Sequence, residues 1–200
     1  MRNDITGIIL CGGKSSRMLT NKALLKPGEK TVIEMILNEL AKIFDNIILS
    51  ANNFEEYSFL NKPIVPDKHP GQGPLAGIYT AVDYSNTDKN FITTCDLPLI
   101  SSDIIEYLLT YDLNNEIIVP SINGIPERLF GVYKKSVVKK IESIFRQSQI
   151  NHKIKNSVYE LHNVSDVMHI EISGSEIFRE EMFLNMNTPE DYEHIRKYFL

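Results

Sequence analysis

Glycines, fixed cations and a carboxylate occur together in three short segments of this 200-residue chain. The first is GIILCGGKSSRM (7–18), which contains Arg17 and is soon followed by Lys22. The second is PDKHPGQGPLAG (66–77), and the third is TTCDLPLI, which contains Asp96. Glycines let backbone amides face phosphate oxygens, and fixed cations stabilise a triphosphate. A nearby carboxylate could hold Mg²⁺, which accepts few protein carboxylates and keeps several waters.

The letters GKS in the first segment are typical of the phosphate-binding loop of ATPases. That loop also requires a glycine five positions before its second glycine, which would be Gly13 here. The residue at that position is Ile8, and Gly7 is one place off, so this interpretation fails. What remains is a buried strand followed by a glycine turn and two cations, for which an ordinary surface turn is the alternative.

The second segment matches a dinucleotide-binding pattern in GQGPLA (71–76), but this match is weak evidence. Pro74 has no amide hydrogen to offer a phosphate, and no clear strand precedes the segment. Asp67 could accept hydrogen bonds from a base or a ribose, whereas the alternative is a surface turn. Asp96 follows a buried run and could hold Mg²⁺, whereas the alternative is a turn or helix-capping aspartate.

The elements that must position these segments alternate between strands and helices. Buried strands are predicted by TGIILC, NIILSAN, KPIVPD, NFITTCD, EIIVPS and ERLFGVY. Helices are predicted by TVIEMILNELAKIF, in which Thr31 and Glu34 form a capping box, and by GPLAGIYTAVDY, SDIIEYLLTY and KSVVKKIESIF. The final MFLNMNTPEDYEHIRKYFL predicts a strand and then a helix with Thr188 as its N-cap.

This alternation predicts an α/β fold with a mostly parallel sheet that is covered on both faces, forming a single domain over 1–200. In such a sheet, ligands bind beyond the carboxyl ends of the strands. The three segments come at the ends of separate predicted strands, of which KPIVPD is weakened by its prolines, so we expect them to meet in one crevice.

The composition narrows the possible functions further. A formal charge of −5 without a basic run argues against a nucleic-acid partner. Two cysteines without zinc spacing imply neither a disulfide framework nor a structural metal. There is no signal-peptide pattern and no apolar run of membrane-spanning length, so a cytoplasmic protein without a membrane partner is the expectation.

Taken together, the motifs resemble those of the molybdenum cofactor guanylyltransferases of the nucleotidyltransferase superfamily. The motifs are LCGGKSSRM, NKALL, PDKHPGQGPLAGI, CDLPLI and FLNMNTPEDY, in this order along the whole chain. The first is shared by many sugar and alcohol nucleotidyltransferases, whereas the later ones are more particular to this family. The resemblance implies a three-layer Rossmann-like nucleotidyltransferase fold. It also implies Mg²⁺ and transfer of GMP from GTP to molybdopterin-type molybdenum cofactor, with release of pyrophosphate.

Carried over by position, the resemblance also implies site residues. Arg17, Lys22 and Asp96 would be catalytic, with Asp96 holding the Mg²⁺. Asn185 and Asn187 would lie on the side of the cofactor substrate. The receiving molybdoenzyme or its chaperone would be a further partner. The implied nucleotide contacts are Leu10, Cys11, Gly12, Gly13, Lys22, Asn52, Asp67 and Asp96.

The chain departs from the family pattern in three places. Met18 is followed by leucine instead of glycine, and Asn21 replaces the usual aspartate. Glu127 and Arg128 replace a His-Pro pair, which leaves the acceptor open. One alternative is therefore a cytidylyltransferase or a sugar- or polyol-phosphate nucleotidyltransferase of the same superfamily. The other is a nucleotide-binding adaptor without catalytic activity.

Overall fold

The computed structural model describes residues 1–12, 21–151 and 154–199, and one β-sheet runs through its centre. The strands within these residues are β1 (Arg2–Leu10), β2 (Phe44–Ser50), β3 (Ile64–Val65), β4 (Lys89–Thr94), β5 (Ile117–Ile122), β6 (Ile125–Pro126), β7 (Gly131–Lys134) and β8 (Val167–Glu171). The α-helices are α1 (Val32–Ala41), α2 (Phe54–Tyr57), α3 (Pro74–Tyr84), α4 (Ser102–Leu108), α5 (Val137–Ile150), α6 (Val158–Asn163) and α7 (Pro189–Arg196).

The sheet combines a parallel half with a mixed half. The strand order is β3-β2-β1-β4-β7-β5-β6, with β8 paired to β5. Strands β3, β2, β1 and β4, the first four in this order, are parallel to one another. Strand β7 is antiparallel to both of its neighbours, β4 and β5. Because β1 to β4 run in the same direction, the segments that follow them leave from the same edge of the sheet. The prediction of an α/β fold that is mostly parallel in its core is confirmed.

Helices cover both faces of the sheet and create three layers. Alternate residues of β1 point to opposite faces, as the strand period requires: Ile9 packs on one side and Ile8 on the other. Helices α1, α4 and α7 bury their apolar side chains against the Ile9 face, and α3, α5 and α6 bury theirs against the Ile8 face. The predicted capping box of Thr31 and Glu34 begins α1.

The predicted strand in MFLNMN is wrong. Glu180–Phe183 forms a 3₁₀ helix, and residues 184–187 form no helix and pair with no strand among the described residues. This segment is instead held across the end of β4, where the Met186 amide donates to the Asp96 carbonyl at 2.9 Å. Helix α7 then begins, as predicted, after its N-cap Thr188.

A buried tyrosine fastens the turn between β6 and β7, which borders the site described below. The Tyr133 side chain is fully buried, and its hydroxyl donates to the Arg128 carbonyl oxygen. The same hydroxyl lies 2.9 Å from His162 Nε2. Because the tyrosine has one proton to give, His162 must donate its Nε2 proton to the tyrosine oxygen. Burial, together with the nearby Arg128 and His169, lowers the pKa of His162 to about 4.

We expect the free energy of unfolding to fall as the pH is lowered from about 6.5 to 4, with a contribution of about 1–2 kcal/mol from His162. The unfolded histidine binds a proton near pH 6.5, whereas the folded one resists protonation down to about 4. The stabilisation is therefore complete above this window and is lost below it. Urea titrations across the window should show a flatter dependence for His162→Gln than for the wild type. If the free energy of unfolding depended on pH equally steeply in His162→Gln and in the wild type, His162 would not be the group responsible.

Candidate active site

A cavity of about 960 Å³ opens at the shared edge of β1, β2, β3 and β4. This volume is at the upper end for small-molecule sites and suits a nucleotide with room beside it. The cavity is lined by the ends of the strands, the beginning of α3, α2 and the segment around Lys22. Seven of the residues predicted from the sequence line it: Leu10, Cys11, Gly12, Lys22, Asn52, Asp67 and Asp96.

One end of the cavity is built around a lysine that joins three distant segments. Lys22 Nζ donates to Asp96 Oδ2 at 2.7 Å and to Asn187 Oδ1 at 2.8 Å. The Thr94 hydroxyl donates to the other oxygen of the Asp96 carboxylate. The Lys22 and Asp96 side chains are each only 17% exposed. Solvent screens this ion pair less than a fully exposed pair, so it holds the lysine in a defined position.

The oxygen atoms at this end suit a hard divalent cation. Asp96 offers a carboxylate and Asn187 an amide oxygen, and both face the Lys22 ammonium. The described residues contain no group of three or more histidine, cysteine or acidic side chains arranged for a metal ion. A single carboxylate is what Mg²⁺ commonly takes from a protein when a nucleotide and water supply its other ligands. Asp96 and Asn187 therefore fit such an ion, provided that the Lys22 ammonium turns away from them towards a phosphate of the bound nucleotide.

The other end of the cavity presents the carboxylate of Asp67. The Asp67 amide donates to Asn52 Oδ1 at 2.8 Å, and Asn52 Nδ2 donates to Asp67 Oδ2 at 3.1 Å. The Ser50 hydroxyl lies 3.5 Å from Asp67 Oδ1. Both ends of the Asn52 amide are thus used by Asp67. Asn52 therefore orients the Asp67 carboxylate. Both residues line the cavity, and the second hydrogen of the Asn52 amide keeps it able to bind a ligand as well.

The floor between the two ends is formed by the end of β1. The Cys11 amide donates to the Ser50 carbonyl at 2.8 Å, and the Leu10 carbonyl accepts from the Cys95 amide at 3.1 Å. These hydrogen bonds hold the end of β1 in the sheet, and the predicted backbone contacts of Leu10, Cys11 and Gly12 with a nucleotide stay predictions. A hydrogen bond to Cys95, together with burial, raises the pKa of the Cys11 thiol. The thiol therefore stays protonated and is a poor nucleophile.

Sequence reasoning missed Glu56 and Tyr57, which also line the cavity. Asn21 Nδ2 donates to Glu56 and, at 2.9 Å, to the Tyr57 hydroxyl. Asn21 Oδ1 accepts from the Ala23 amide at 3.1 Å and so caps the short turn that begins at Lys22. An aspartate at position 21 could not donate to Glu56. Asn21, which departs from the family pattern, is thus paired with Glu56, which accepts its amide hydrogen. The sequence around Asn21 and the sequence around Glu56 do not indicate this pairing.

The segment that departs from the family pattern borders the cavity. Leu129 is one of the lining residues. Burial raises the pKa of the neighbouring Glu127, with a contribution from the negative charge of Asp96, while Arg128 lowers it. The negative charge of Asp96 thus opposes ionisation of Glu127.

Two predicted residues that the structure describes, Asn185 and Asn187, do not line the cavity, although Asn187 contacts Lys22. Asn185 is exposed, and its side chain lies 3.5 Å from the Phe183 carbonyl. Gly13 and Arg17 lie outside the described residues. Their roles stay predictions, as does the role of Asn185 towards the cofactor substrate.

Gly77→Ala is expected to weaken the binding of a nucleotide, tested with the GTP that the motif resemblance implies, about tenfold while leaving the protein folded. A Cβ at this position would lie 2.9 Å from Ser50 Oγ, 3.3 Å from Leu10 Cδ2 and 3.6 Å from Asp67 Oδ1. The substitution favours the helix but forces the Ser50 hydroxyl away from Asp67. Isothermal titration with GTP would measure the loss. Gly174→Ala is the control, since nothing lies within 4 Å of its Cβ position. Equal GTP affinity in Gly77→Ala and Gly174→Ala would show that the close packing of Gly77 against Ser50 and Leu10 does not affect binding.

A large cavity beyond the carboxyl ends of parallel strands, with a lysine and a carboxylate at one end, defines a nucleotide-binding α/β protein. Comparisons with known proteins sharpen this class. The family description that matches residues 7–164, more than half of the chain, is the MobA-like NTP transferase domain. The chain therefore belongs to the MobA-like NTP transferase family, a family of nucleotidyltransferases.

Relatives and solved structures agree with this assignment. A protein of Carboxydothermus hydrogenoformans named "Probable molybdenum cofactor guanylyltransferase" is 40% identical over 98% of this chain and 97% of its own. A protein of Natranaerobius thermophilus with the same name is 33% identical over 99% and 98%. The solved structure of molybdopterin-guanine dinucleotide biosynthesis protein A from Archaeoglobus fulgidus shares the fold, with a TM-score of 0.80, 19% identity and coverage of 96% and 97%. The family resemblance noted in the motifs is confirmed.

Proposed function

We propose that this protein transfers GMP from GTP to the molybdopterin form of the molybdenum cofactor, giving the guanine dinucleotide form and pyrophosphate. The observation that carries the proposal is the contact of Lys22 with both Asp96 and Asn187 at one end of a nucleotide-sized cavity. The choice of GTP and of the acceptor is supported by the full-length relatives named for this activity.

The reaction would depend on positioning and charge rather than on a catalytic base. A terminal phosphate oxygen of the acceptor is ionised near neutral pH and can attack the α-phosphate of GTP directly, with pyrophosphate leaving. Lys22 would exchange Asp96 for the phosphates of GTP and stabilise the charge that develops on the leaving pyrophosphate. Asp67, oriented by Asn52, would accept hydrogen bonds from the guanosine, and Gly12 would offer its amide.

Asp96 would hold the divalent cation, for which we propose Mg²⁺. Bound there, the cation would neutralise negative charge on the phosphates of the nucleotide. Arg17 is a second proposed cation for these phosphates. Asn187, already in contact with Lys22, would face the acceptor, and the proposed role of Asn185 is on the same side.

The proposal is tested by supplying GTP, CTP or ATP with Mg²⁺ and the molybdopterin-form cofactor. Pyrophosphate release and the mass of the dinucleotide product are measured. We expect turnover with GTP to exceed that with CTP by at least about tenfold, since a mismatched base leaves buried polar groups unpaired. EDTA should stop the reaction, and Mg²⁺ should restore it.

The same experiment separates the alternatives. Faster product formation with CTP would indicate a cytidylyltransferase, and a product only with a sugar or polyol phosphate would indicate a different acceptor class. A nucleotide-binding adaptor would be stabilised by GTP against heat without releasing pyrophosphate. Either result would contradict the proposal.

We further propose that residues 1–200 act as one domain in the cytoplasm and that the product passes to a molybdoenzyme or its chaperone. Support for one domain comes from the two apolar cores, which share the same sheet. Among the described residues, no helix has the length and apolar character required to cross a bilayer.

A further inference from the structure

The second glycine-rich segment, residues 66–73, needs contacts from outside to keep its shape. We call it the glycine loop. Gly71 and Gly73 have φ values of +83° and +66°, and nothing lies within 4 Å of the position that a Cβ would take at either residue. Glycine backbone loses much conformational entropy when it is ordered. Because Asp67, Gly71 and Gly73 line the cavity, the contacts that order the loop also shape the site.

The two ends of the glycine loop are fastened by hydrogen bonds and by a helix. At its beginning, the Asp67 amide bonds to Asn52 and the Lys68 amide donates to Thr80 Oγ1 at 2.9 Å. At its end, Gly73 is the N-cap of α3. The middle of the loop, from His69 to Gln72, is exposed. The Gln72 amide donates to the His69 carbonyl at 3.4 Å, and the Asn156 side chain donates to the Gln72 side chain.

Besides these hydrogen bonds, the middle is joined to the helices by the His69 ring, which packs against two buried aromatic side chains. The His69 ring centroid lies 4.7 Å from that of Phe145 on α5 and 5.3 Å from that of Tyr79 on α3. Phe145 and Tyr79 are 5.9 Å apart and only 6% and 8% exposed, so they form a fixed surface. These separations are within the range for favourable ring packing. His69 itself is not among the residues that line the nucleotide cavity.

We propose that His69 is a positioning residue that holds the glycine loop in the shape that presents Asp67, Gly71 and Gly73 to the nucleotide. Its action is through ring packing on Tyr79 and Phe145, without contact to the substrate. The kinetic part of the test rests on the proposed function. Lys22 and Asp96 lie on other elements, so a loosened loop weakens GTP binding while GTP that does bind reacts at nearly the normal rate.

His69→Ala is expected to raise the KM for GTP about three- to tenfold, the effect of losing one to two ring contacts, with little change in kcat. His69→Phe keeps the ring and should restore the wild-type KM. His194→Ala is the matched control: it removes another histidine packed on an aromatic ring, 5.8 Å from Tyr198, which is outside the loop. This control should leave KM and kcat at wild-type values.

Hydrogen exchange of the free protein tests the same proposal without relying on catalysis. The amides of the glycine loop should exchange faster in His69→Ala than in the wild type or in His69→Phe. If the wild type fails to transfer GMP, the proposed function is wrong and the exchange data still decide the role of His69. Unchanged exchange in His69→Ala would overturn the proposal. So would a His69→Phe variant as impaired as His69→Ala, because the imidazole nitrogens and not the ring packing would then matter.

Discussion

Replacing Asp96 with asparagine is expected to lower GMP transfer by about 10³-fold while the protein stays folded. Asparagine keeps the size of the side chain, but it removes the negative charge that pairs with Lys22 and would hold the divalent cation. The surrounding chain keeps its main anchor, because the Asp96 carbonyl that accepts the Met186 amide at 2.9 Å is part of the backbone. The loss should therefore appear in turnover and not in folding.

Steady-state kinetics with GTP and Mg²⁺ would measure this effect, and thermal unfolding would check the fold. Asp45→Asn is the control, because it neutralises an exposed aspartate on β2 outside the cavity. Asp96→Ala should also abolish transfer, and its fold should persist for the same reason. If either Asp96 variant transferred GMP at close to the normal rate with Mg²⁺, Asp96 could not be the metal-binding residue.

Lys22→Met should lower turnover by about 10²–10³-fold and also weaken GTP binding. Methionine keeps much of the apolar stem but removes the ammonium that contacts Asp96 and Asn187. Lys22→Arg should restore little, because a planar guanidinium cannot place its charge between the two oxygens as a compact ammonium does.

Lys26→Met is the matched control for this variant, since Lys26 is exposed and lies four residues along the same segment. Measuring kcat and KM separately shows where Lys22 acts. A variant in which KM rises and kcat is unchanged would make Lys22 a simple binding residue. Normal values of both kcat and KM in Lys22→Met would show that Lys22 has no role in the site.

The sequence predicted the fold well where the signals were local. Buried strands at β1, β2 and β4 and the capping box of α1 were correct because short β-branched runs and caps depend on near neighbours. The strand in MFLNMN was wrong for the opposite reason. An extended segment becomes a strand only if it finds a partner, and the Met186 amide finds the Asp96 carbonyl instead.

In the candidate site, too, the residues with local signals could be predicted and those that depend on distant contacts could not. Lys22, Asp67 and Asp96 could be selected because each follows a recognisable strand or glycine turn, and the structure places all three around one cavity. Glu56 and Tyr57 could not be selected, because their role comes from hydrogen bonds to Asn21, 35 and 36 residues earlier in the chain. The pairing of Asn52 with Asp67 was equally invisible, although both residues line the cavity, and the contact of each with the guanosine stays a prediction.

By itself, the sequence determined the class of protein, its family and most of the charged residues of the cavity, because motifs and periodicity are written in neighbouring residues. Only the tertiary structure decided which of these residues contact one another. It paired Lys22 with Asp96 and Asn187, turned Asn52 towards Asp67, and packed His69 on two rings from separate helices. Such contacts join segments that are far apart in the chain, and they exist only once the sheet has brought those segments to one edge.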